Sequence, residues 1–137
     1  MKQAIKQTEI LNFLSNHLRL GTDEVKMDSD IYKDFGIDGD DFFELMEAYS
    51  KEFKVDLSDF LWYFHYNEEG FFNIGSIFVK PPYNRVSRIA ITPQILFEAA
   101  NTGKWSIKYP KHTLPKKRYD ILIGWFFLII IFILIWI

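Results

Sequence analysis

The last stretch of the chain limits its possible folds more than any other. Ile121 to Ile137 reads ILIGWFFLIIIFILIWI, 17 residues without a charge. At about 1.5 Å rise per residue such a helix is roughly 25 Å long, a little short of the ~30 Å hydrocarbon core of a bilayer. Modest thinning of the bilayer absorbs the difference. A helix that is apolar on every side needs either lipid or a large protein around it, and the rest of this 137-residue chain is too small to enclose it. A membrane span is therefore expected, with Trp125 and Trp136 placed for the two interfaces. Its position excludes an N-terminal secretory signal, and no small-residue triplet precedes it as a glycolipid-anchor signal requires.

Lys116, Lys117 and Arg118 stand just before this segment, with Lys108 and Lys111 upstream. The positive-inside rule then places residues 1–118 in the cytoplasm. The expected arrangement is a single-pass protein of the inner (cytoplasmic) membrane, tethered by its C-terminal tail. The same cations attract anionic lipid, by about 1 kcal/mol each near the surface. Three parts are expected: a cytoplasmic domain over 1–105, a basic juxtamembrane linker over 106–118, and a transmembrane helix over 119–137. The absence of cysteine agrees with a reducing compartment and removes disulfide and thiolate chemistry.

The net charge of −2 conceals a division. Asp23 to Glu69 holds 15 acidic and 4 basic residues, whereas Gly70 to Arg118 holds 9 basic and one acidic, Glu98. An acidic half of this kind is either a solvated face or a docking surface, for its own basic half or for a basic partner. Nucleic acid is not expected, because phosphate repels the acidic half and the basic half faces the membrane.

Along the chain, Ile5, Ile10, Leu11, Phe13, Leu14 and Leu18 follow helical spacing over 3–20, with Gly21 as a left-handed cap. One turn is expected over 30–35, ending at Gly36. Asp38 is placed to cap a second long helix whose first turn carries Asp40 and Asp41, complementing the positive helix end. Phe42, Leu45, Met46, Tyr49 and Phe53 form its apolar stripe, with Glu44, Glu47 and Lys51 on the other side. Ser58 is placed to cap a short aromatic helix, DFLWYFHY, over 59–66. The stretch 71–79 reads as irregular or strand-like, stopped by Pro81-Pro82, and 88–91 as a short extended piece. Thr92-Pro93 is a strong helix start, with Gly103 as the stop. A proline-containing linker follows over 104–116. The fold class expected is mainly α, a small helical bundle with an irregular or short-strand insert and one C-terminal transmembrane helix.

No motif for bond-making chemistry emerges. His17, His65 and His112 are scattered, and no metal-ligand spacing occurs. A calcium loop beginning at Asp34 fails, because Gly36 stands at its third position and Leu45 where a bidentate glutamate is needed. A helix N-terminus favours the charged forms of Asp38, Asp40 and Asp41, which suits capping better than acid–base work. His65 between Phe64 and Tyr66 reads as a packing residue. No enzyme activity, catalytic residue, metal or cofactor is expected.

The stretch DFGIDGDDFFELMEAYSKEF, Asp34 to Phe53, resembles the centre of acyl carrier proteins. There a turn of the form L-G-x-D-S-L-(D/E) opens a partner-binding helix, and the serine carries the phosphopantetheine arm. Phe35, Gly36, Ile37 and Asp38 match the approach, and Asp41, Glu44 and Leu45 match the helix. Gly39 stands at the serine position and offers no atom to esterify. No serine elsewhere sits at the helix entrance, so no arm is expected. The similarity covers roughly 5–60. Over 1–115 the chain is similar to a bacterial acyl-carrier-like family known as domain of unknown function 1493, on D-F-G-I-D-G-D-D and on E-A-A-x-x-G-x-W, here Glu98 to Trp105. The membrane tail departs from the short soluble pattern of that family. What the resemblance implies is a carrier shape that does not carry, meeting basic partners through Asp38, Asp40, Asp41, Glu44 and Glu47.

The function expected is therefore a non-enzymatic, membrane-tethered adaptor with a basic protein partner, held by Lys116, Lys117, Arg118 and the tail. Two alternatives are an immunity or antitoxin-type inhibitor of a basic toxin at the membrane, and an acyl-lipid sensor. The sensor would have a groove lined by the aromatic run Phe60 to Tyr66 with Phe71 and Phe72.

Overall fold

A computed structural model describes residues 3–69 and 74–137. It is mainly helical, as the periodicities require: α1 (Gln7–Leu18), α2 (Ile31–Phe35), α3 (Gly39–Phe53), α4 (Pro93–Thr102) and α5 (Tyr119–Trp136). Single 3-10 turns at Trp62–Phe64, Ile74–Ile77 and Pro82–Asn84 interrupt the long connection between α3 and α4. Among the described residues there is no strand, only an isolated bridge pairing Asp56 with Lys104. The strand-like expectation for 71–79 thus gives way to a 3-10 turn over Ile74–Ile77; Phe71 and Phe72 lie outside the described residues.

The helical head is built around α3. Phe42, Leu45 and Tyr49 on its stripe are fully buried against Ile10 and Leu14 of α1, Ile31 of α2 and Leu96 of α4. Burying each such side chain contributes roughly 1.5–3 kcal/mol. The Tyr49 hydroxyl donates to the Leu96 carbonyl at 2.5 Å, so the one polar atom on that stripe is satisfied across the α3–α4 contact. Asn101 on α4 brackets the start of α1, accepting from Ile5 N at 2.9 Å and donating to Ile5 O at 3.2 Å.

The helix ends follow their capping chemistry, with one shift. Thr92 Oγ1 accepts from Ile95 N, and Gly103 turns left-handed at φ 77° to end α4. Gly36 ends α2 at φ 65°. α1, however, ends at Arg19 (φ 55°) and not at Gly21. The Leu20 N–H bonds back to Ser15 O at 2.9 Å and its side chain packs on the core. That apolar contact just beyond the cap sets the turn earlier than glycine alone would.

The aromatic run does not form the expected helix. Ser58 does not cap it; its N–H instead closes a turn on Asp56 Oδ1 at 2.9 Å. Phe64, His65 and Tyr66 are consecutive and all buried, which no single helix face allows. Each reaches a different neighbour: Tyr66 stacks on Phe42 (ring centroids 4.9 Å apart), Phe64 meets Tyr109 (4.8 Å) and His65 stacks on Phe60 (5.1 Å). Ile107 and Tyr109, in the stretch expected as linker, pack onto the same core.

α5 is 18 residues long and apolar enough to cross a membrane. Its buried residues are Asp120 and Gly124, at the end nearest the head. The 3-10 turn Ile74–Ile77 packs there, so closely that a Cβ on Gly75 would lie 1.7 Å from the Asp120 carbonyl oxygen. Farther along, Phe78 stacks on Phe127 with centroids 5.7 Å apart.

Candidate functional site

The acidic residues singled out from the sequence separate into two groups at the start of α3. Asp38 is half-buried. Its Oδ1 accepts from Gly39 N and from Asn67 N, both at 2.8 Å, and the Asn67 side chain also reaches the Tyr32 hydroxyl at 3.1 Å. Asp38 therefore caps α3 and fastens the end of the aromatic run to it. Asp40, Asp41, Glu44 and Glu47 are exposed along the helix. Glu47 pairs with Lys51 at 3.2 Å one turn later, a solvent-facing contact worth at most a few tenths of a kcal/mol. Asp40, Asp41 and Glu44 make no ion pair among the described residues.

Gly39 has a backbone reason to be glycine. Its φ is +52°, and a Cβ there would stand 2.1 Å from Glu69 Cγ. A left-handed residue opens α3, a conformation glycine adopts without the steric cost an L side chain meets. Any side chain placed there would also have to displace Glu69.

The sequence reading missed Phe43. It lies one residue beyond the buried Phe42, about 100° round the helix, and is 56% exposed between Asp40, Glu44 and Glu47. Its signal was its register, since it falls off the stripe defined by Phe42, Leu45, Met46 and Tyr49.

The basic half meets the acidic half away from this face. Arg88 forms a two-pronged pair with Asp30 at 2.7 and 3.1 Å and lies over the Tyr32 ring. Burial alone would raise the Asp30 pKa, but the Arg88 guanidinium and the Lys33 N–H outweigh it and hold the carboxyl below its usual range. Arg118 chelates Glu68 at 2.7 and 2.8 Å and Asp120 at 2.6 and 3.0 Å. Those hydrogen bonds, Glu68 first, raise the Arg118 pKa above the ordinary guanidinium value. Of the three cations just before α5, Lys116 and Lys117 are exposed and Arg118 is committed to this clasp.

Behind the site, His65 is 1% exposed. Its Nδ1 bonds to the Ile89 carbonyl at 2.8 Å, which leaves Nε2 to accept from the Tyr109 hydroxyl at 2.7 Å. The Tyr109 oxygen in turn accepts from Trp105 Nε1 (2.8 Å) and Leu61 N (3.2 Å). Burial first of all lowers the His65 pKa to about 4, so the ring is neutral near pH 7. This network is closed on itself and ties the 105–109 segment to the head. Among the described residues no group of histidine and carboxylate side chains is placed to hold a metal ion.

Fold and site together define a small helical head with an uncovered acidic helix face, followed by one apolar helix. The chain belongs to the family described as Protein of unknown function (DUF1493), whose model matches residues 5–108. No solved structure matches the chain.

Proposed function

We propose that this chain is a membrane-tethered, acyl-carrier-like adaptor that bears no phosphopantetheine arm and docks a basic protein partner on the exposed face of α3. One observation carries the reading: among the described residues Asp40, Asp41 and Glu44 make no ion pair, while Arg88 and Arg118 are engaged elsewhere. The acidic face is thus neither covered by the chain's own basic half nor needed to hold the fold. Phe43 in its midst supplies what charge alone lacks, an aromatic anchor that a partner can bury inside a polar rim. Charge complementarity would then set partner choice and association rate.

In this reading Gly39 occupies the position of the carrier serine, and its left-handed backbone suits a helix start that no longer presents an arm. α5 spans the inner membrane, with the head on the cytoplasmic side beside Lys116 and Lys117. Few of its residues are buried against protein, as befits a helix with lipid around it. The partner-binding residues are Asp40, Asp41, Phe43, Glu44 and Glu47. Asp38, placed both on that surface and at the cap from sequence, is half-buried and engaged at the helix start, so the proposed surface is drawn without it.

The test uses full-length protein recovered by affinity from native membranes in mild detergent, with mass spectrometry of the protein and of what accompanies it. A single recurring partner with a basic surface, lost in Glu44→Lys/Glu47→Lys while helicity stays unchanged, is the expected result. Equal recovery of that partner by the double variant refutes the docking face.

A further inference from the structure

The chain leaves a cleft where α5 meets the head. It has a volume of about 230 Å³ and lies between the stretch Val79–Arg85 and the stretch Leu114–Asp120. Lys80, Arg85, Lys116 and Lys117 line it, brought together from two segments about thirty residues apart. None of the four makes an ion pair among the described residues. Arg85 is fixed by its Nε donating to the Lys80 carbonyl at 2.7 Å, and among the described residues its terminal nitrogens make no further hydrogen bond. The acidic residue in the wall, Asp120, is already held by Arg118 together with Glu68. One negative charge in excess on that clasp faces four positive charges around the cleft.

The packing of the neighbouring turn fixes the depth of the cleft. Gly75 sits against the Asp120 carbonyl at the start of α5, and Phe78 stacks on Phe127. Phe127 is eight residues beyond Tyr119, about 12 Å along the helix axis. Ile77 and Phe78 are 80% and 63% exposed, a cost in water that lipid would remove. With α5 in a bilayer, these two side chains enter the hydrocarbon beside it, and the chain returns at Lys80 to the level of Lys116 and Lys117. The cleft then opens at the depth of lipid phosphates.

We propose that this cleft binds the phosphate of an anionic phospholipid headgroup, with Lys80 and Arg85 on one side and Lys116 and Lys117 on the other. The proposal rests on α5 spanning the membrane, as proposed above. It adds a site with defined walls to what would otherwise be a basic strip next to a helix. Arginine and lysine are the side chains that bind phosphate oxygens, by fork and by point charge respectively. Ile77 and Phe78 would hold the acyl-chain side of the same lipid against α5.

The experiment uses full-length protein in detergent micelles, doped with phosphatidylglycerol or phosphatidylcholine and read by native mass spectrometry for retained lipid. The expected result is one phosphatidylglycerol retained in preference to phosphatidylcholine. In Lys80→Gln/Arg85→Gln its retention falls at least tenfold. In Lys108→Gln/Lys111→Gln, which removes the same charge outside the cleft, it falls less than twofold. Equal losses in the two variants would mean diffuse attraction and overturn the site, as would no preference between the lipids. Inorganic phosphate is titrated in a parallel arm. Uptake of the free ion as strong as that of phosphatidylglycerol would overturn the lipid assignment. Carbonate extraction of native membranes separates this proposal from the one beneath it. Release of the protein defeats the membrane span itself, whereas retention without lipid preference defeats the cleft alone.

Discussion

Acid should loosen the head through one imidazole. His65 is neutral in the folded chain because burial holds its pKa at about 4, against 6.5 for the solvated ring. The unfolded chain therefore takes up a proton that the folded chain refuses. Stability from this group is fully present above pH 6.5 and falls as the pH drops toward 4. At 1.36 kcal/mol per pH unit of difference, the loss is about 1.4 kcal/mol at pH 5.5 and approaches 3 kcal/mol at pH 4. The structure gives the reason for the loss. With Nδ1 donating to Ile89 O and Nε2 accepting from Tyr109, a second ring proton would face the Tyr109 hydroxyl, whose own proton would have to turn away. Urea unfolding of the full-length protein in detergent, followed by the fluorescence of Trp62 and Trp105, measures the loss across pH 7.5 to 4.5. His65→Gln keeps a donor and an acceptor but cannot titrate, so its stability should be flatter by the stated amounts. The carboxylates Asp30 and Asp56, held below their usual range, lose their contribution only at lower pH and do not enter this window. Identical pH dependence in wild type and His65→Gln would refute the argument.

Other substitutions separate the packed face of α3 from the exposed one. Phe42→Ala should cost about 3–5 kcal/mol in urea unfolding, while the adjacent Phe43→Ala stays within about 0.5 kcal/mol and weakens only partner recovery. Asp38→Ala removes the cap and the link to Asn67, and should lower stability by about 1–2 kcal/mol without changing partner recovery. Gly39→Ser puts a hydroxyl at the position aligned with the carrier serine in the proposed reading, on a left-handed backbone against Glu69. It should lower stability by about 1–2 kcal/mol, and its intact mass should show no added arm.

Much of the architecture was legible because its signals are local. Thr92-Pro93 and Gly103 bound α4 as expected, and Asp38 caps α3 at the position its spacing indicated. The stripe from Phe42 to Phe53 is buried as its periodicity required. Failures occurred where a distant partner overrides local pattern. Ser58 lost its capping role because Phe64, His65 and Tyr66 each needed a different neighbour. Gly21 lost the cap of α1 to Arg19 because Leu20 had core to pack against. Asp38 was legible as the cap of α3, but its link to Asn67, far along the chain, was not.

By itself the amino-acid sequence determined the elements whose energetics are short-range: most of the caps, the apolar stripes and the apolar helix over the last residues. Each depends on neighbours within a turn or two, or on composition alone. The tertiary structure decided what the charges do. Arg88 reaches Asp30 and Arg118 reaches Glu68 across 58 and 50 residues of chain, and in doing so they leave the face of α3 open. The same long-range packing lays Ile74–Ile77 on α5 and gathers Lys80 and Arg85 beside Lys116 and Lys117. Coulomb attraction selects among all oppositely charged pairs that folding brings within reach, so the pairing follows from where the core places the backbone.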